Sequence, residues 1–156
     1  MSGEPARRTP TGRSLRLVGP ADAESPEGEG LWLELPPQRR SVGVGRHWVV
    51  RVAVEQGVTG MANQVVELLA SELLANAVLH GSGDGPVRVA MECTETVVRV
   101  AVTDSLPARP VVLHPEPIAP AGRGMAIVEA MSNRWGVEPS PPDGKTVWFE
   151  IDLDEY

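Results

Sequence analysis

The sequence has little cysteine and little lysine, and the first shortage excludes two kinds of site. A single cysteine, Cys93, in 156 residues excludes an internal disulfide framework. A cysteine-based zinc site is excluded too, because the three histidines and this cysteine are scattered without ligand spacing. We therefore expect a reduced, cytoplasmic protein. Only one of the 14 basic residues is a lysine, Lys145, and this imbalance alone indicates no mechanism.

Long apolar runs and an excess of positive charge are also missing. No apolar run approaches the roughly 20 residues needed to cross a bilayer. The residues up to Pro10 lack the apolar core of a secretory signal. The formal net charge of −7 argues against a nucleic-acid binder, which normally carries a basic face. We expect neither a membrane nor a nucleic acid as a partner.

Length and composition predict one ordinary globular domain. Residues 1–30 are rich in Gly and Pro and lack a periodic apolar pattern, so they bury too little apolar area to offset the entropy of ordering. We predict a disordered tail there, with a partner-binding arm as the alternative. The folded domain is predicted over residues 31–156.

Apolar periodicity predicts alternating groups of strands and helices in this domain. The predicted strands are an edge strand at Leu31–Leu35 and four more at 87–92, 97–104, 134–138 and 146–153. The predicted helices cover 38–55 and 61–80. An irregular loop is predicted over 105–121, and within 122–132 a loop turns into a third helix. This order is typical of an α+β fold, a two-layer α/β sandwich with a mostly antiparallel sheet and helices on one face.

The first predicted helix is the ambiguous element. Gly43 and Gly45 have low helix propensity and weaken the prediction of a helix. Residues Trp48 to Val54, taken alone, match the apolar pattern of a strand. Length and context favour the helix.

The long second helix carries polar residues at a spacing of four. Glu72, Asn76 and His80 share one face of an otherwise apolar helix. Burying a lone carboxylate costs on the order of several kcal/mol. One interpretation is an internal hydrogen-bond network from Glu72 through Asn76 to the backbone. The other is a pocket floor where the Asn76 amide oxygen binds Mg²⁺ and Glu72 acts as a base. His80 alone is more typical of an exposed helix end.

Two further positions suggest a ligand. Asp104 continues an inward valine row at the end of its strand, so it either caps a turn or accepts from a ligand amino group such as that of adenine. Gly122, Arg123 and Gly124 precede a predicted helix start at Met125, where glycines and free N–H groups suit an anion. The turn at 144–146 is explained by a β-turn alone.

Taken in order, these pieces resemble the sequence boxes of the GHKL ATPases, the superfamily that includes gyrase and the histidine kinases. The series Glu72, Asn76 and His80 resembles the N box, and Asp104 resembles the start of the first glycine box. Residues 122–125 and 144–149 look like the second and the closing box. Residues 71–78 are especially similar to the stand-alone branch of anti-sigma-factor serine kinases from high-GC Gram-positive bacteria.

The resemblance implies a Bergerat-type fold that binds Mg·ATP. It implies that Glu72 is the general base, Asn76 the Mg²⁺ ligand and Asp104 the reader of adenine. The remaining residues that it places at the nucleotide are His80, Gly122, Arg123, Gly124, Met125 and Thr146. It also implies partners: a STAS-type anti-anti-sigma protein that receives the γ-phosphate on a serine, a sigma factor that is held alternately, and a second copy in a homodimer.

The first glycine box departs from the family pattern, because Ser, Leu, Pro and Ala follow Asp104 without a glycine. This favours an alternative, a catalytically inactive module that binds ATP or sequesters a partner, whereas the retained Glu72 favours a kinase. A third candidate is a lone phosphotransfer domain for a regulator other than a sigma factor. We do not expect a full sensor histidine kinase, because no helix with a phospho-accepting histidine precedes the domain.

Overall fold

The computed structural model describes residues 30–81, 85–105, 120–141 and 144–156, with residues 81 and 120–123 described by their backbone alone. Within these ranges the strands are β1 (Leu31–Leu35), β2 (Val87–Cys93), β3 (Val97–Asp104), β4 (Arg134–Ser140) and β5 (Gly144–Asp152). The α-helices are α1 (Arg40–Glu55), α2 (Gly60–Asn76) and α3 (Pro120–Met131). A π-helical turn (Ala77–Gly81) follows α2, and a 3₁₀ turn (Leu153–Glu155) follows β5.

The strands form a single sheet in the order β1-β2-β3-β5-β4, and every neighbouring pair is antiparallel. β1 lies at one edge, as the prolines after it predict. Helix α1 packs on β1 and β2, α2 packs on β3 and β5, and α3 packs on α2 and β4. The predicted α+β sandwich is confirmed, with all pairings antiparallel.

The core lies between the sheet and the helices. Alternate residues of β3 and β5 are buried, and each inward row is apolar except at one end. On β3 the row ends in Asp104, and on β5 it begins with Lys145. The register pairs these two residues directly. Two polar side chains therefore meet at the end of an otherwise apolar layer.

The ambiguous segment is a helix, and its second glycine has a packing role. A Cβ on Gly45 would lie 2.8 Å from Leu74 Cδ1 and 3.2 Å from Leu35 Cδ1. The missing side chain thus lets α1 approach α2 and β1 closely. The buried Trp48 anchors the same helix in the core, so burial outweighs the low helix propensity of glycine.

Several predicted boundaries are wrong. β5 begins at Gly144, so residues 144–146, predicted as a turn, lie within this strand. The α-helical pattern of α2 ends at Asn76 rather than at residue 80, because the next turn is π-helical, a one-turn change that apolar periodicity cannot detect. Helix α3 begins at Pro120, because proline suits the first helical turn. Gly122 and Gly124 therefore lie inside the helix, although they were predicted to precede it. The predicted tail, except Gly30, and most of the predicted loop at 105–121 lie outside the described residues. No helix in the described ranges could span a bilayer.

Candidate functional site

Glu72 and Gly124 meet where α2 packs against the first turns of α3. A Cβ on Gly124 would lie 2.5 Å from Glu72 Oε1 and 3.6 Å from its Cδ. The carboxylate therefore occupies the space that any other residue at 124 would need. This contact brings the helix series and the predicted glycine pair together.

The Glu72 carboxylate is half-buried without a compensating partner. No hydrogen bond joins it to Asn76 or to any other residue within the described ranges. Burial raises its pKa above the usual range of a glutamate. The internal network that would have explained Glu72 structurally is thus not formed among these residues. A carboxylate with a raised pKa is a better proton acceptor, as a general base requires.

Asn76 is the last residue of α2 and stands at the change to the π-helical turn. It is half-buried, and its amide makes no side-chain hydrogen bond within the described part of the chain. The π-helical turn contacts β3, the strand that ends in Asp104. Single π-helical turns occur frequently at functional sites. The amide oxygen of Asn76 is thus available to coordinate a metal ion or to accept a hydrogen bond from a ligand.

His80 lies on the π-helical turn and is exposed. No three His, Cys, Asp or Glu side chains in the described ranges form a metal-binding group. A Mg²⁺ ion at Asn76 would therefore need phosphate oxygens and water as its other ligands.

Asp104 forms a buried ion pair that the sequence analysis missed. Its Oδ2 lies 2.7 Å from Nζ of Lys145, and each residue is only 4% exposed. Asp104 makes a further interaction besides this pair. The available signal was the alternation of Lys145 with the apolar Val147 and Phe149, the same pattern that predicted an inward Asp104.

Thr146 lies on the opposite face of the sheet from Lys145. Its hydroxyl is 2.7 Å from the hydroxyl of Thr103, which also faces away from the helices. The structure therefore does not bring Thr146 to the Asp104 carboxylate. Side chains alternate along a strand, so the neighbours Lys145 and Thr146 point to opposite faces of the sheet.

The second predicted box lies in the first turns of α3. Gly122 is in the helix rather than before it, and the side chain of Arg123 lies outside the described residues. The Met125 side chain is buried in the core, at 1% exposure. The Met125 side chain is therefore directed into the core, whereas backbone N–H groups in the first turn of α3 suit an anion, as at other helix N-termini.

The chain matches the family model for the histidine kinase-like ATPase domain over residues 35–151. A search of curated proteins gave no match. The matched range covers well over half of the 156 residues and contains Glu72, Asn76, Asp104, Gly124 and Lys145. It begins at the end of β1 and ends within β5. The chain therefore belongs to the histidine kinase-like ATPase domain family, and it is an ATP-binding domain of that type.

Proposed function

We propose that the chain is an anti-sigma factor with ATP-dependent serine kinase activity toward a STAS-type anti-anti-sigma protein. The observation that carries this proposal is the Glu72 carboxylate, half-buried and with a raised pKa against the first turns of α3. A module that only bound ATP or a partner would not need such a base. The resemblance of residues 71–78 to the anti-sigma branch supports the class of partner.

The residues present suit Mg·ATP. Asn76 offers a neutral oxygen, the ligand type that Mg²⁺ takes alongside phosphate oxygens. The first turn of α3 presents free backbone N–H groups and the positive end of the helix dipole to phosphate. The Asp104 carboxylate, paired with Lys145, offers oxygen acceptors to an amino group. These features support the proposed roles of Asn76 as the metal ligand and Asp104 as the reader of adenine.

Glu72 would act on the hydroxyl of the partner's serine. It accepts the proton as the serine oxygen forms a bond to the γ-phosphorus. The bond from that phosphorus to the β–γ bridging oxygen breaks, and ADP leaves with the electron pair. Mg²⁺, when bound, neutralises charge on the phosphate oxygens. Gly124 keeps the space beside the carboxylate free of a side chain.

The sigma factor and a second copy of the chain belong to the same proposal. In the branch that residues 71–78 resemble, the kinase holds a sigma factor alternately with its phosphorylation target and often forms a homodimer. Size measurement of the purified chain, alone and with each candidate partner, tests this part. A chain that stays monomeric and binds neither partner would overturn it.

The kinase proposal is tested by Glu72→Gln. We expect the variant to keep its ATP affinity within about threefold and to lose phosphotransfer by about 100-fold or more, as expected for loss of a general base. Radiolabelled ATP and the STAS-type proteins of the same organism provide the assay. Glu67→Gln is the matched control, because Glu67 lies on the same helix and pairs weakly with Arg46 at 3.9 Å.

Three outcomes separate the functions. Loss of labelling in Glu72→Gln but not in Glu67→Gln supports the kinase. Labelling at the wild-type rate in Glu72→Gln overturns the role of the base. ATP binding by the wild type without labelling of any STAS-type protein overturns the kinase activity and favours a partner-sequestering module.

A further inference from the structure

The only lysine of the chain is buried. Lys145 and its partner Asp104 are each 4% exposed, with 2.7 Å between Nζ and Oδ2. Lysine is almost never fully buried unless it is paired, and apolar residues of similar volume in place of a buried ion pair are often neutral or stabilising. The inward rows of β3 and β5 are otherwise apolar, so an apolar residue at either position would extend the core. The pair therefore needs a reason other than stability.

The ammonium group has more donors than its described surroundings use. A lysine ammonium carries three N–H donors, and within the described ranges its hydrogen-bond acceptor is Asp104 Oδ2. A buried donor without an acceptor is unfavourable. The carboxylate offers about four acceptor sites on its two oxygens. It can therefore hold Lys145, make the further interaction noted above and accept one more N–H group. The pair thus presents a hydrogen-bond donor beside an acceptor.

The backbone of β3 and β5 places the Lys145 donor directly opposite the Asp104 acceptor. The register pairs Asp104 with Lys145. A Cβ on Gly144 would overlap the carbonyl oxygen of Asp104 and would lie 3.3 Å from Cα of Ser105. The backbones of β3 and β5 therefore approach each other closely beside Asp104 and Lys145. Both side chains point into the layer between the sheet and the helices, the layer that also contains Met125 of α3.

We propose that Lys145 is a base-reading residue that donates to N1 of adenine while Asp104 accepts from the 6-amino group. This inference rests on the proposed function, which places the adenine of ATP at Asp104. The edge of adenine carries an amino donor at C6 beside an acceptor at N1, which complements the pair. Hypoxanthine reverses that edge, with a carbonyl at C6 and an N–H at N1. A hydrogen bond from a charged donor is roughly twice as strong as a neutral one, so Lys145 contributes to the preference for ATP over ITP.

The test combines a change in the ligand with a change in the protein. In 1-deaza-ATP a C–H group replaces N1, so the acceptor for Lys145 is lost and the 6-amino group is kept. We expect the wild-type chain to bind it about tenfold or more weakly than ATP, as for a hydrogen bond to a charged group. The Lys145→Met variant should bind ATP more weakly than the wild type by a similar factor. It should bind ATP and 1-deaza-ATP with equal affinity. Arg99→Met is the matched control, because Arg99 lies on the other face of the sheet over Trp148, and it should keep the discrimination.

A second measurement needs no variant, because Lys145→Met leaves the Asp104 carboxylate buried without its counter-charge. In the wild-type chain labelled with ¹⁵N-lysine, one side-chain ammonium signal belongs to the single lysine. We expect ATP to shift this signal strongly. 1-Deaza-ATP at saturation should shift it much less.

The possible results separate the two proposals. Equal affinity of the wild type for ATP and 1-deaza-ATP, or the same ammonium shift with both, would overturn the role of Lys145 and leave ATP binding intact. Tighter ATP binding by Lys145→Met would also overturn it, since Lys145 would then compete with adenine for Asp104. If neither nucleotide binds the wild type, the proposed function itself fails.

Discussion

Glu72 and Glu150 are two glutamates whose environments act in opposite directions. Burial raises the pKa of Glu72, and no cation among the described residues offsets it. Burial also raises the pKa of Glu150, but hydrogen bonds from Arg134 at 2.7 Å and Arg99 at 3.2 Å outweigh it and lower the pKa overall. Burial thus disfavours the ionised form of Glu72, whereas the two arginines favour the ionised form of Glu150.

The pH dependence of stability should show this difference. The pKa of Glu72 is raised in the folded state, so ionisation destabilises the fold as the pH rises from the ordinary value of 4.5 through the folded pKa. We expect Glu72→Gln to raise Tm by on the order of a few degrees at pH 7. The gain should vanish on acidification below 4.5. Thermal unfolding between pH 4 and pH 8 measures it.

Glu150→Gln is the control with the opposite sign. The pKa of Glu150 is lowered, so its contribution to stability is present above 4.5 and is lost as the pH falls through the folded value. This variant should have a lower Tm than the wild type at pH 7, with the difference disappearing in acid. A Glu72→Gln variant that is less stable than the wild type at pH 7 would contradict the account of Glu72.

The Cys93 thiol should be unreactive in the folded protein. Burial, with a smaller effect of the Glu92 charge, raises the pKa of Cys93 to about 12. The thiolate is the reactive form, so we expect labelling by a thiol reagent at pH 8 to be at least about tenfold slower than in urea. Kinetics of labelling with and without urea test this. Equal rates would mean that Cys93 is not shielded.

At the residue scale, sequence reasoning predicted positions better than partners. Strand alternation identified Asp104 as inward, and helical spacing placed Glu72 and Asn76 together. Lys145 was missed because a lysine after a glycine is usually assigned to an exposed turn. Its burial follows from the register of β3 and β5, a long-range pairing that local pattern does not specify.

At the scale of elements, the contact between α1 and α2 depends on a missing side chain. Gly45 faces Leu74 and Leu35 at distances too short for a Cβ, whereas a Cβ on Gly43 would meet only Arg46 Nη2 at 3.5 Å. Glycine inside a helix is unfavourable by itself. The two glycines of one helix therefore have different reasons to be there.

Alanine at these two positions should have opposite effects. Gly45→Ala should destabilise the protein by about 1–3 kcal/mol through overpacking. Gly43→Ala should stabilise it by roughly 0.5–1 kcal/mol through helix propensity and lower unfolded-state entropy. Urea unfolding of both variants against the wild type measures the difference. If Gly45→Ala is as stable as Gly43→Ala, the close packing at α1 and α2 is wrong.

The ends of α2 and α3 were the elements that sequence reasoning placed least well. The π-helical turn Ala77–Gly81 and the start of α3 at Pro120 both lie next to the candidate site. Apolar periodicity reports burial averaged over several turns. A change of hydrogen-bond pattern within one turn leaves it unaltered.

At the scale of the whole molecule, the fold was predictable and its sheet order was not. The alternating strands and the long apolar helix give the correct sequence of elements and the antiparallel sandwich. Insertion of β5 between β3 and β4 depends on pairings between distant segments, which element order alone leaves open. That insertion is what brings Lys145 beside Asp104 and completes the inward row of the candidate site.

The central claim is that Glu72, Asn76 and Asp104 belong to one Mg·ATP site. Calorimetric titration of the full chain with ATP, with and without Mg²⁺, tests it most directly, alongside Asn76→Ala. Asn133→Ala is the control, because the Asn133 amide oxygen accepts from the backbone of Asp152 outside the site.

We predict a micromolar Kd, about −8 kcal/mol, that depends on Mg²⁺ in the wild type and in Asn133→Ala. Asn76→Ala should lose the dependence on Mg²⁺. Absence of heat and of a thermal shift with the wild-type chain would contradict the account.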